Sequence, residues 1–215
     1  FTLSVVVVLL SLSFRLGAQK PNIIMILTDD MGYADLGAYG MSRYHTPHTD
    51  RLISEGAQFM SAYSAGPMCT PTRTALMTGR YPARTTVGLI EPLTTKPRDT
   101  AYGLSREVPS LGLYLHRAGY ETRLVGKWHL GMDWPKSPGT SFDPSDKFVP
   151  TLQDIEWSKS ISNGPTLLGF DYYFEISASL DMPPYVFIKN DKVTSVPTTE
   201  KKWIRAGPAA ADFEA

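Results

Sequence analysis

A seven-residue run, Asn22-Ile23-Ile24-Met25-Ile26-Leu27-Thr28, is almost wholly apolar and stops abruptly at Asp29-Asp30. A continuous apolar run of this length suits a strand covered on both faces, the environment of a parallel sheet. Helical signals alternate with strand signals after it. Residues 49–55 have a Thr cap, Asp50 in the first turn and Gly56 as a stop, which predicts a short helix. Residues 58–63 read as the next strand. In Cys69-Thr70-Pro71-Thr72-Arg73-Thr74-Ala75-Leu76-Met77-Thr78-Gly79, Thr70 suits the N-cap, Pro71 the first helical position and Gly79 the exit. Cys69 is therefore expected at the mouth of a helix. Between 107 and 119, Leu111, Leu115 and Ala118 share one helical face, and Gly119 ends it. A strand over 120–125 then delivers Gly126-Lys127-Trp128-His129 just past its carboxyl end.

This alternation predicts an α/β sandwich with a mostly parallel central sheet and flanking helices. Ligands of open sheets bind beyond the carboxyl ends of the strands. Asp29-Asp30, Cys69 and the Lys127/His129 pair all map to that rim. Residues 132–165, rich in Pro, Ser, Asp and Lys, read as a long loop of the kind that shapes a substrate mouth. Residues 185–188, a turn at Asn190-Asp191 and Val193 read as a hairpin.

Composition narrows the function. Lysine and arginine number 21 and so do aspartate and glutamate, so no basic excess supports nucleic-acid binding or stable membrane association. The apolar stretch from Val5 to Phe14, followed by Gly17 and Ala18, predicts a secretory signal peptide over 1–18 and an exported protein, secreted or periplasmic, from residue 20 on. A buried strand or an uncleaved anchor is the alternative for that stretch. Cys69 is the one cysteine, which marks it as a candidate reactive group. A small buried hydrophobe is the ordinary alternative for such a residue.

The sequence around Cys69 decides between them. Cys69-Thr70-Pro71-Thr72-Arg73, with Thr78-Gly79-Arg80 behind it, resembles the signature of the type I sulfatases, Cys-x-Pro-x-Arg followed by Thr-Gly-Arg. Thr28-Asp29-Asp30 and Gly126-Lys127-Trp128-His129-Leu130-Gly131 extend the likeness, which runs from about Pro21 to about Val193. The resemblance implies an alkaline-phosphatase-like fold and hydrolysis of sulfate monoesters. The stretch 177–188, with Pro183-Pro184-Tyr185, is similar to exported bacterial sulfatases of the arylsulfatase A and N-acetylgalactosamine-6-sulfatase type, a resemblance that implies a sulfated glycan. The resemblance also implies that a maturation enzyme oxidises Cys69 to formylglycine.

The chemistry accounts for these residue types. A sulfate ester is an anion, so attack at sulfur must be helped by positioning and by charge neutralisation. The hydrate of formylglycine has two hydroxyls: one attacks sulfur, and loss of the proton from the other expels sulfate and restores the aldehyde. The resemblance assigns Asp29, Asp30 and residue 69 to a divalent metal. Carboxylate oxygens suit Ca2+, the family's usual ion, with Mg2+ as the other hard cation. Asp35 lies close in sequence but outside the motif. Arg73 lies one helical turn after Cys69, where the resemblance implies that it holds the residue-69 oxygens and Arg80 supports the site from further out. The resemblance implies that Lys127 binds sulfate oxygens and that His129 assists the elimination; on an extended segment the two point the same way. Trp128 then points away and packs. Ser179 falls where relatives carry a serine near the sulfate, with Ser177 as the alternative and an ordinary loop serine as the other reading. His45, His48 and His116 read as loop or surface residues.

Family members also supply a later histidine, a later lysine and an Asp-Asn pair that completes the metal shell. No Asp-Asn dipeptide follows Lys127. The chain is therefore expected to be the N-terminal part of a sulfatase catalytic domain, 20–215, truncated before its C-terminal part. The rival readings are a phosphonate monoester or phosphodiester hydrolase of the same superfamily, and a non-catalytic fragment.

Overall fold

The computed structural model describes residues 20–85, 104, 107–140, 153–179 and 184–199. The expected signal segment over 1–18 lies outside them. The chain divides into two compact units, Phe1–Phe59 and Met60–Ala215.

In the first unit two 3-10 turns, Tyr33–Asp35 and Gly37–Tyr39, precede helix α1, Pro47–Glu55. The helix starts two residues ahead of the expected point. Thr46 takes the N-cap and Pro47, with its preset φ, the first turn. The Asp50 carboxylate accepts from the Thr46 hydroxyl at 2.9 Å and from the Ala38 N–H at 2.8 Å, which ties the second turn to the helix. The strand expected over 22–28 does not form. The run takes no regular secondary structure, pairs with none of the described strands and leaves its side chains in solvent, Ile24 at 86% exposure. Apolar pattern sets a preference for the extended state, but a strand also needs a neighbour to accept its N–H and C=O groups. Residues 58–63 fail as a strand for the same reason, with Phe59, Met60 and Tyr63 exposed.

The second unit carries helix α2, Cys69–Thr78, helix α3, Leu111–Arg117, and strands β1, Arg123–Val125, β2, Tyr172–Glu175, β3, Ile188–Lys189, and β4, Lys192–Val193. The strands form one mixed sheet in the order β1-β2-β3-β4. β1 and β2 are parallel, with Leu124 opposite Tyr173; β2–β3 and β3–β4 are antiparallel. The described sheet is thus mixed, with one parallel ladder out of three. The hairpin is where the sequence places it. Asn190 turns in the left-handed region (φ 59) and its side-chain oxygen accepts the Tyr173 N–H at 3.0 Å, fixing the hairpin on β2. β2 itself lies in a stretch that the sequence reading left unassigned.

α3 is shorter than its periodicity suggests. Its Ser110 cap accepts the Leu113 N–H at 3.2 Å and donates to the Leu168 carbonyl at 2.7 Å. Gly112 sits against that carbonyl and the Phe170 ring; a Cβ there would meet Leu168 O at 2.5 Å. The core gathers Trp128, Leu130, Leu168, Tyr173 and Ile188, each at most 1% exposed. Each large apolar side chain so buried contributes about 1.5–3 kcal/mol. The described parts of the stretch 132–165 are not a free loop. Bridges Asp133↔Ser162 and Lys136↔Ile155 fold them back, and Met132, Trp134, Ile155 and Ile161 join the core.

Candidate active site

The site of the second unit starts at the entry of α2. Thr72 and Ser64 hydroxyls both donate to the Gly66 carbonyl at 2.7 Å, strapping the incoming loop to the first turn. Cys69 is the first residue of the helix and is half-buried. Met68, not Thr70, takes the N-cap position, which leaves the Thr70 hydroxyl available for another bond. At the far end Gly79 (φ 64) adopts the left-handed conformation that glycine reaches without a Cβ penalty, and its N–H closes on the Ala75 carbonyl at 2.8 Å. The N-terminal end of such a helix favours negative charge near residue 69.

The segment after β1 supplies the rest. Its parallel ladder continues past the strand: Gly126 N–H donates to Phe174 O at 3.0 Å, Trp128 N–H to Ile176 O at 3.4 Å and His129 N–H to Ser177 O at 2.9 Å. Three bonds then join this segment to α2. Lys127 Nζ donates to Cys69 Sγ at 3.0 Å, Arg73 Nη1 to the Lys127 carbonyl at 2.6 Å and Thr70 Oγ1 to the His129 carbonyl at 3.2 Å. Lys127 thus meets Cys69 through its ammonium and Arg73 through its carbonyl, and His129 is linked to the same helix through Thr70. The Arg73 bond to the Lys127 main chain sets the position of Lys127.

His129 is 1% exposed and has left-handed backbone (φ 55). That conformation costs of order 1–3 kcal/mol in a non-glycine residue and persists only where the surroundings impose it. The alternation argument that put Lys127 and His129 on one side applies to extended backbone, and the extended path ends at His129. Trp128 packs as expected: it is in the core, its edge meets Phe170 at 6.4 Å, and its Nε1–H reaches the Gly131 carbonyl at 2.7 Å. Burial holds the Tyr173 phenol well above its usual pKa, the Glu175 charge adds to this, and the Arg73 charge opposes it. Tyr173 is therefore a neutral donor to the Ile176 carbonyl, at 2.7 Å, under the strand that leads to Ser177.

Other expected residues stand apart. Ser179 is half-buried and makes no hydrogen bond to Cys69, Lys127 or His129 among the described residues. Ser177 is 3% exposed, touches His129 through its carbonyl, and its hydroxyl has no partner among the described residues. Arg80 is exposed and joins none of these side chains. Asp29 and Asp30 belong to the first unit, exposed, at the end of the apolar run. Among the described residues no three His, Cys, Asp or Glu side chains gather as a metal site. His45, His48 and His116 are exposed, as the sequence implied. Thr70 is the residue the sequence reading misplaced; a hydroxyl beside Cys69 reads equally well as a cap.

These features describe an α/β protein with a cysteine–lysine–arginine centre beyond the carboxyl ends of two parallel strands. The sulfatase family model matches residues 21–200. An N-acetylgalactosamine-6-O-sulfatase of Bacteroides thetaiotaomicron is 38% identical over 179 residues, 83% of this chain and 31% of that protein. The human N-acetylgalactosamine-6-sulfatase is 39% identical over 157 residues, 64% of this chain and 30% of that protein. A solved structure from work on glycosaminoglycan metabolism by Bacteroides thetaiotaomicron matches with TM-score 0.63 and 36% identity, over 82% of this chain and 32% of its own. The chain belongs to the sulfatase family. It spans about a third of the length of the relatives it matches.

Proposed function

We propose that the whole protein is a sulfuric ester hydrolase that cleaves sulfate monoesters of a glycan, with a 6-sulfated N-acetylgalactosamine as the nearest model. The carrying observation is the Lys127–Cys69 contact at 3.0 Å in a chain of the sulfatase family. The names of its relatives support the substrate class.

In this reading Cys69 is converted to formylglycine by a maturation enzyme, and the hydrated aldehyde supplies both the attacking oxygen and the hydroxyl whose proton loss releases sulfate. Lys127 neutralises a sulfate oxygen beside residue 69, where a fixed charge favours the developing anion. Arg73 fixes the Lys127 carbonyl, so the ammonium is positioned before substrate arrives. His129, held in the buried segment, exchanges the proton with residue 69. Ser179 contributes a hydrogen bond to the substrate.

Asp29 and Asp30 are proposed as ligands of a divalent metal, as the family resemblance also proposes for residue 69. The donor set fits a hard cation: both carboxylates are exposed and adjacent, and oxygen is the ligand Ca2+ prefers. Two carboxylates are fewer than the roughly six to eight oxygens Ca2+ takes, so further ligands complete the shell. The bound ion supplies Lewis-acid polarisation of the reacting oxygens. Export through an N-terminal signal peptide suits the substrate; among the described residues no helix is long and apolar enough to cross a membrane.

The test is turnover by the matured whole protein of an aryl sulfate, an aryl phosphonate and 6-sulfated N-acetylgalactosamine, before and after chelation. Sulfate-ester turnover that chelator removes and Ca2+ restores is expected. Preference for the phosphonate would overturn the reading.

A further inference from the structure

We infer that Thr70 is a positioning residue for His129, acting through a buried main-chain hydrogen bond; this rests on the sulfatase reading. Four polar residues sit almost fully buried behind the cysteine: Thr70 and Thr74 at 0%, His129 at 1% and Ser177 at 3%. They are not used alike. The Thr70 hydroxyl donates to the His129 carbonyl at 3.2 Å, whereas the Thr74 hydroxyl, one turn further along the same helix, has no partner among the described residues.

His129 departs from the extended path of the ladder (φ 55), so its placement depends on what grips it. Two bonds grip its main chain from opposite sides: its N–H to the Ser177 carbonyl at 2.9 Å, and its carbonyl from Thr70. The first ties it to the strand side. The second ties it to α2, the helix that carries Cys69 in the adjoining position. Because peptide geometry fixes residues 69 and 70 relative to each other, the Thr70 bond sets the distance between the residue-69 side chain and the histidine segment. Arg73 does the same for Lys127, to whose carbonyl it donates at 2.6 Å. One helix thus presents the reacting residue and sets the register of both partner residues by their carbonyls, the first through Arg73 and the second through Thr70.

A hydroxyl is required, and a methyl of the same size is not a substitute. Valine at 70 keeps the packing and removes the donor, leaving a buried carbonyl short of a bond. Serine keeps the donor. Valine at 74 removes a hydroxyl that makes no bond and serves as a packing control.

The experiment compares Thr70→Val, Thr70→Ser and Thr74→Val in the whole protein. Aldehyde content at residue 69 is counted by mass spectrometry, so that rates refer to matured molecules. For Thr70→Val, kcat per aldehyde is expected to fall at least about tenfold with KM little changed, as a displaced catalytic group implies. Amide hydrogen exchange is expected to speed up over 127–130 and not in β1 or β2. Thr70→Ser should recover most of the rate, and Thr74→Val should match wild type in both readouts. Wild-type rate and wild-type exchange in folded Thr70→Val would overturn the inference, as would equal losses in Thr70→Val and Thr74→Val. Should Thr70→Val not fold, Thr70→Ser still decides: wild-type exchange over 127–130 is expected, and unprotected amides there would overturn it. Absence of sulfate-ester turnover in the wild type would instead sink the sulfatase reading, while the exchange comparison would still test the Thr70 bond.

Discussion

The apolar run at 22–28 and the segment 123–129 begin with similar sequence credentials and end differently. Each is a short hydrophobic stretch leading to a cluster of charged or ionisable residues, Asp29-Asp30 in one and Lys127/His129 in the other. The second finds β2 beside it, and its ladder runs on to His129. The first pairs with none of the described strands and keeps Ile24 at 86% exposure. A strand is a relation between two segments, so its sequence signal is half of what it needs. A helix closes its own bonds, and α1, α2 and α3 all form near where their caps and stops place them.

The difference can be broken or sharpened by substitution. The largest effect is expected at Cys69. Cys69→Ala in the whole protein should cut sulfate-ester turnover at least about a thousandfold, as loss of a nucleophile does. Its half-buried side chain leaves the melting temperature nearly unchanged, which calorimetry would check. Lys127→Ala should lower kcat/KM by roughly 10²–10³-fold, the scale of a lost charge-stabilising group, and steady-state kinetics would show it.

Stability probes contrast the two regions directly. Gly112→Ala forces a Cβ to 2.5 Å from the Leu168 carbonyl and to 2.9 Å from the Phe170 ring, and should destabilise by about 1–3 kcal/mol in denaturant titration. Ile24→Asp should change the stability of the 215-residue chain by no more than about 0.5 kcal/mol, because that side chain is 86% exposed among the described residues. A cost comparable to that of Gly112→Ala would show that the run is buried after all.

The smallest effect concerns acid stability. The Thr122 N–H and hydroxyl, at 2.8 and 3.0 Å, and His116 nearby hold the Asp171 carboxyl below its usual range. A carboxyl with a depressed folded pKa adds stability above its unfolded pKa and loses it as pH falls through the lower folded value. Asp171→Asn should therefore be less stable than wild type near neutrality and converge with it in acid, in melting temperatures measured against pH.

Much of the centre was legible in the sequence because it is local. Cys69 and Arg73 share one helix whose Gly79 exit is written in the chain, and Lys127 and His129 follow a strand that does form. The mixed sheet was less legible. β2 went unread although Gly169 precedes it and Tyr172-Tyr173-Phe174 suits a strand, and pairing direction is not encoded in apolar pattern. Thr70 was misread because a hydroxyl near a helix start serves equally as cap or as tether, and only the position of the His129 carbonyl decides. The core role of 132–165 was hidden by its prolines and charges, although Met132 and Trp134 were in plain sight.

The central claim is that residue 69 is a matured reactive group rather than a packed thiol. Peptide mass spectrometry across residue 69, after expression with a formylglycine-generating enzyme, tests it most directly. An aldehyde is expected at that position in the active protein. An unmodified cysteine in protein that still hydrolyses sulfate esters would contradict it.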